Sequence, residues 1–242
     1  DERISFLEEG MYSTLLYPEQ GGKISLSFLI AELKAIKAIL IELHNGIYVN
    51  EINDLYNKVK LFGYNFASLD IRQDSRVHQN VFDTIISHPD IQQYVENLPE
   101  NYSELPIEER IQILPKLKGN VPTDIFTHEL TKHTLGSIYA MKEIQAMNGE
   151  RSCNRYIISN CGSLESILQL FAMHHLCDWN EPTVDIIPLF ETVDDLLAAE
   201  EIMQKLYSNE AYRAHLEKRK NKQTIMLGFS DGTKDGGYIM AN

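Results

Sequence analysis

Cysteine is scarce in this sequence. Its 242 residues hold only Cys153, Cys161 and Cys177, an odd number that leaves a thiol unpaired and lacks metal-finger spacing, as expected of a reducing compartment. Long apolar runs are missing as well: none approaches the length that spans a bilayer, and no signal sequence precedes the first helix. The expected location is cytoplasmic, with no membrane partner. Positive charge is in deficit. With 22 Lys and Arg against 35 Asp and Glu, the formal net charge is −13, and a field of that sign repels polyanions. Nucleic acid is therefore not an expected partner, although a local basic pocket remains open. No phosphate-cradling glycine loop of the Walker or dinucleotide type occurs, and no nucleophile elbow.

What is present is an ordinary globular composition, 43% hydrophobic and 24% charged, on a chain long enough for one or two cores. The segment "ISLSFLIAELKAIKAILIELHNG" places Leu26, Leu29, Ile30, Leu33, Ile36, Leu40 and Leu43 on one helix face. Asn45 and Gly46 supply a left-handed stop. A second helix is expected from a capping Asn50 to about Leu61. "FASLDIRQ" then changes period and predicts a strand ending near Arg72, followed by helical "DSRVHQNVFDTII". From about Ser87 to Asn120 the text is loop-like, punctuated by Pro89, Pro99, Pro106 and Pro115, with one short helix expected around "PIEERIQIL".

After a long helix ending at Asn148 and Gly149, strands and helices alternate: "RYIISN", "LESILQLFAMHHL", "TVDIIPLF", "VDDLLAAEEIMQKLY", helical "EAYRAHLEKRK", and "TIMLGFS". Alternation of this kind requires parallel strands joined by crossovers. The expected fold is α/β, with a helical segment over residues 1–62 and a partial β/α (TIM-like) barrel over 63–242. Parallel strands end on one face, so the polar residues that close them should converge: Arg72, Ser159 with Asn160, Glu191, and Asp231.

Each of these has an ordinary role and a chemical one. Glu191 is either a polar neighbour of a helix capped by Thr192 with Asp195, or a carboxylate offered to a hard divalent cation. Asp231 either caps a helix starting at Gly232 or serves the same cation. Magnesium needs only one or two carboxylates, taking its other ligands from water and substrate oxygens, so the two together make the better candidate. Lys234 sits on a first helical turn, where the helix dipole disfavours a cation unless it faces an anion. Arg72 either pairs with Asp70 or Asp74, or forks onto a carboxylate or phosphate. His174, His175 and Cys177 imitate a metal cluster, but adjacent helical residues diverge by about 100°, so helix-surface and packing roles are expected.

The segments "LDIRQDSRVH", "VDIIPLFETVDDL" and "IMLGFSDGTKDGGYIMAN" resemble, in this order, three motifs of the phosphoenolpyruvate carboxylase family. That family carries "LDIRQES" followed by a histidine, "PLFET", and "GYSDSxKDxG". The resemblance runs from about residue 50 to the end of the chain. It implies conversion of phosphoenolpyruvate and bicarbonate to oxaloacetate and phosphate with Mg²⁺ or Mn²⁺. It further implies Glu191 and Asp231 as metal ligands, Lys234 in the bicarbonate region, and Arg72 in the substrate pocket. Asp74 replaces the family's glutamate, Phe229 its tyrosine, and "DGT" the small residues before the lysine; none of these strikes a proposed ligand.

A histidine-bearing "TAHPTE" segment expected upstream and a "GRGGS"-like loop expected downstream do not occur in these residues. The chain opens on "DERISF" without methionine and closes on "YIMAN", so the expectation is a fragment, catalytically silent by itself and prone to self-association, of an enzyme that is typically a homotetramer under allosteric control. Another metal-dependent barrel lyase acting on phosphoenolpyruvate or pyruvate, and a scaffold module without turnover, are the alternatives.

Overall fold

The computed structural model describes residues 2–17, 24–65 and 67–241. The chain divides into two compact units, Asp1–Ala67 and Ser68–Asn242. The first is helical, with α1 (Glu2–Leu16), α2 (Leu26–Leu43) and α3 (Val49–Phe62). Its core joins Leu7 of α1, Leu29, Leu33 and Ile36 of α2, and Val59 of α3, the three- and four-residue spacing read from the sequence. Ser25 caps α2 by accepting the Phe28 N–H. The stop forms as expected, Asn45 and Gly46 both turning left-handed, with the Gly46 N–H reaching back to the Leu40 carbonyl at 2.8 Å. Asn50, expected to cap α3, lies inside its first turn. The α2 turn runs straight into α3, whose carbonyl ladder already starts at Tyr48, bonded by the Ile52 N–H at 3.2 Å.

The second unit is α/β. In chain order it comprises β1 (Asp70–Asp74), α4 (Ser75–Ile86), β2 (Val95–Glu96), α5 (Ile107–Ile113), β3 (Lys118–Gly119), α6 (Glu129–Asn148), β4 (Arg155–Ser159), α7 (Leu164–Leu176), β5 (Asp185–Phe190), α8 (Val193–Ser208), α9 (Glu210–Lys218), β6 (Met226–Leu227) and α10 (Phe229–Ala241). β1, β4, β5 and β6 form a four-stranded sheet in that spatial order, every pair parallel. β2 and β3 make a small antiparallel pair.

Register assigns the sheet's two faces. Arg72 stands beside Ile157, and Ile157 beside Ile187, so these three share one face, because register partners point the same way. Ile157, Ile187 and Leu189 form a small cluster there. The neighbouring residues Tyr156, Ile158 and Ile186 point the other way, into the main core with α4, α6, α7 and α8. β4 and β5 are thus apolar on both faces, the pattern of parallel strands.

Two stretches of this unit are more buried than the sequence suggested. The segment from Ser87 to Asn120, read as mostly loop, packs tightly: Ile91, Val95, Tyr102, Leu114 and Leu117 are all buried. Their irregular spacing follows short 3₁₀ turns and the β2–β3 pair, which have no single period to detect. His174 and His175 are not surface residues either. α7 is wrapped by α4, α8, β5, β3 and the Leu114–Lys116 turn, and both histidines are buried.

Candidate strand-end site

The carboxyl ends of β1, β4, β5 and β6 lie along one edge of the sheet, as parallel pairing requires. Arg72, the middle residue of β1, projects from the face opposite the main core. It donates from Nη2 to Glu191 Oε1 at 3.1 Å. Asp70 and Asp74, its expected partners, are engaged elsewhere: Asp70 by Arg155 at 3.5 Å, and Asp74 by Arg76 at 2.7 Å. Asp74 closes β1 and caps α4, accepting the Arg76 N–H at 2.8 Å and its guanidinium at 2.9 and 2.7 Å. Those hydrogen bonds from Arg76 hold its carboxyl below the usual carboxylate range.

Glu191 follows β5 directly, and its side chain is only 18% exposed. Its second oxygen accepts the backbone N–H of Asn160, just beyond β4, at 3.0 Å. Asn160 presents that N–H from a left-handed conformation, φ 53°, which asparagine tolerates better than most residues. Ser75 at the start of α4 donates to the Asn160 carbonyl at 2.5 Å. Three strands thus meet at Glu191: β1 through Arg72 at its middle, β4 through Asn160 just beyond its end, and β5 through its own backbone.

The next helix begins as expected. Thr192 accepts the Asp195 N–H at 3.1 Å, and Asp195 accepts the Thr192 and Glu191 N–H groups at 3.1 and 3.3 Å. The fourth strand end is closer still. The Gly228 N–H donates to the Phe190 carbonyl at 2.9 Å. A β-carbon at Gly228 would lie 2.9 Å from Glu191 Cγ and 3.1 Å from its Cα, so only glycine lets β6 approach β5 this closely.

Asp231 does not cap a helix starting at Gly232. α10 already begins at Phe229, with the Gly232 N–H bonded to the Gly228 carbonyl at 2.8 Å. Asp231 therefore lies in the first helical turn, exposed, and Lys234 reaches back to it at 3.4 Å. An exposed pair of this kind contributes little to stability. Asp235, which sequence reasoning passed over, accepts the Val193 N–H at 2.9 Å and so ties α10 to the start of α8. A carboxylate next to the paired glycines was the only local hint. His174, His175 and Cys177 make no cluster with a metal's geometry, and no group of three His, Cys, Asp or Glu fit to hold a metal occurs among the described residues. No helix among them is long and apolar enough to cross a membrane.

A parallel sheet with Arg72 and Glu191 paired where its strands end, and Asp231 paired with Lys234 in the helix that follows its fourth strand, defines an α/β protein with charged groups at its strand ends. Comparison with known proteins gives the family. The family model of phosphoenolpyruvate carboxylase matches residues 16–242. Similar proteins include the phosphoenolpyruvate carboxylase of Prochlorococcus marinus strain MIT 9215, 32% identical over 224 residues that cover 87% of this chain and 22% of that protein. That of Nitrosomonas eutropha is 35% identical over 210 residues, covering 82% of this chain and 22% of the relative. That of Gloeobacter violaceus is 28% identical over 254 aligned residues, which cover 100% of this chain and 26% of the relative. This chain belongs to the phosphoenolpyruvate carboxylase family. It spans about a fifth to a quarter of the length of the curated relatives it matches.

Proposed function

We propose that the protein containing this chain carboxylates phosphoenolpyruvate with bicarbonate, giving oxaloacetate and phosphate, and that the strand-end site is part of its active centre. The observation that carries the reading is the meeting of Arg72 with Glu191 at 3.1 Å, within a chain of this family. On this reading a bicarbonate oxygen attacks the phosphorus, forming carboxyphosphate and the enolate of pyruvate. Carbon dioxide released from carboxyphosphate is captured by the enolate carbon, and phosphate leaves.

Glu191 and Asp231 are proposed to hold Mg²⁺ or Mn²⁺. They fit that role chemically: both offer hard oxygen donors from adjacent strand ends, and magnesium needs only one or two carboxylates. Glu191 is moreover a part-buried carboxylate whose charge is met by a cation, Arg72. A divalent metal bound there would supply stabilisation of the developing enolate charge. Arg72, a planar fork on the open face of the sheet, is proposed to orient a phosphate or carboxylate group. Lys234 is proposed to attract bicarbonate once a competing cation takes up the Asp231 carboxylate.

The sheet itself is proposed to be part of a β/α barrel, carried by residues 63–242 behind a helical segment over 1–62. Strands apolar on both faces support this, as does an edge strand, β6, whose Met226 and Leu227 are 38% and 61% exposed. In a closed barrel neither edge would remain.

The test is oxaloacetate formation by the intact protein with phosphoenolpyruvate, Mg²⁺ and varied bicarbonate. Turnover should require bicarbonate, and Arg72→Ala should lower kcat/KM on the order of 10²–10³-fold, the usual cost of removing a charge-stabilising donor. Bicarbonate-independent turnover, or full activity in the variant, would refute the assignment.

A further inference from the structure

We propose that Asp235 is a positioning residue that fixes the separation between the strand end bearing Glu191 and the helix bearing Asp231 and Lys234; this rests on the reading of Glu191 and Asp231 as a metal pair. The two carboxylates come from different strands, and the platform between them is slight. β6 has two residues, Met226 and Leu227, and α10 breaks at Gly237, where φ is 79° and ψ 172°. A two-residue strand therefore does little to set where Asp231 stands, while the helical turns before Gly237 carry Asp231 and Asp235 together.

Two hydrogen bonds tie this segment to the strand end bearing Glu191. The Gly228 N–H meets the Phe190 carbonyl at 2.9 Å, and Asp235 Oδ2 meets the Val193 N–H at 2.9 Å. On the segment running from β5 into α8 these pins fall at Phe190 and Val193, on either side of Glu191. On the segment running from β6 into α10 they fall at Gly228 and Asp235, on either side of Asp231 and Lys234. The first pin is a backbone rung that any sequence able to approach so closely would make. The second depends on one side chain.

A simpler role for Asp235 would be to complement the helix N-terminus, where carboxylates are favoured. α8 already has a complete cap from Thr192 and Asp195, and Asp235 reaches it from 42 residues away. The two roles differ in what they need from the side chain. Dipole complementation needs only a negative charge nearby, whereas positioning needs an acceptor at a fixed reach.

The experiment is a Mn²⁺ titration of the intact protein, read by electron paramagnetic resonance, on Asp235→Asn, Asp235→Glu and Asp235→Ala beside Glu191→Ala. Amide hydrogen exchange is followed in parallel over the peptide containing Val193. Asp235→Asn, which keeps an acceptor at the same reach, should stay close to the parent affinity. Asp235→Glu, which keeps the charge but lengthens the reach, and Asp235→Ala should each weaken Mn²⁺ about 10- to 100-fold, the range for outer-shell partners of a metal site. The peptide around Val193 should exchange faster in the alanine variant. Asp235→Glu offers the decisive comparison if Asp235→Ala does not fold. Parent affinity in Asp235→Glu, or weakening in Asp235→Asn equal to that in Asp235→Glu, would overturn the positioning role while Glu191→Ala still abolishes binding. Binding that survives Glu191→Ala would instead overturn the metal pair itself, and with it this proposal.

Discussion

Four histidines lie buried among aromatic rings in the α/β unit, and they set its response to acid. His78 bonds the Tyr156 hydroxyl at 3.1 Å, and His174 the Leu170 carbonyl at 2.8 Å. Phe171 stacks between His175, at 4.4 Å, and His215, at 5.2 Å. Burial pushes the His78, His175 and His215 imidazoles down to about 4, and His174 to about 3. Arg219 near His215 and Lys118 near His175 act in the same direction. Because these folded values lie below the ordinary histidine value near 6.5, the unfolded chain takes up protons first as pH falls. The stabilisation is complete above about pH 6.5 and is lost on descent towards pH 4, each histidine contributing about 1.4 kcal/mol per pH unit in that window. Urea unfolding midpoints should fall steeply from pH 7 to pH 5, and in His174→Gln the fall should be shallower. A midpoint flat across that range would show that these imidazoles already accept protons in the folded state. Their adjacency at His174 and His175 was visible in the sequence, but their burial was not. It follows from the central place of α7, which "LESILQLFAMHHL" signals only by being apolar almost throughout.

Among the elements, those with a local rule were legible and those held by distant partners were not. The α8 start is written in three consecutive positions and Asp195, and the box forms with the expected partners. Thr192→Ala should destabilise the α/β unit by about 1 kcal/mol, the usual cost of an N-cap, and Thr192→Ser should recover most of it; equal urea midpoints for all three proteins would mean that the cap contributes nothing. α10 shows the opposite case. Its start was expected at Gly232 behind a capping Asp231, yet Phe229 already begins the helix, because Gly228 supplies its first carbonyl while fitting against Glu191. Likewise β6 shrinks to Met226 and Leu227 from the longer run "TIMLGFS", since only those residues pair with β5. Where hydrogen bonds link residues 42 or 119 positions apart, as at Asp235 and Arg72, no local period could announce the partner.

At the scale of the whole molecule, the alternation of strands and helices fixed parallel pairing before any coordinates, and parallel pairing gathers the strand ends. Arg72, Asn160 and Glu191 consequently meet from three strands, while Asp231 and Lys234, in the helix after β6, bond each other. At the amino end of β5, Arg219 binds Asp185 at 2.7 Å and Glu150 at 2.6 Å, a clasp at the opposite end of that strand from Glu191. In β/α barrels the amino ends of the strands serve stability and the carboxyl ends carry active sites, and the proposed site follows that division. If Glu191 and Asp231 are a metal pair, the carboxyl ends of β5 and β6 form one cation site. The direct measurement is Mn²⁺ binding to the intact protein, followed by electron paramagnetic resonance, for the parent, Glu191→Ala and Asp231→Ala. One saturable site weakened by at least about 100-fold in both variants is expected of ligands that supply charge and oxygen to the same ion; unchanged affinity in either variant would contradict it.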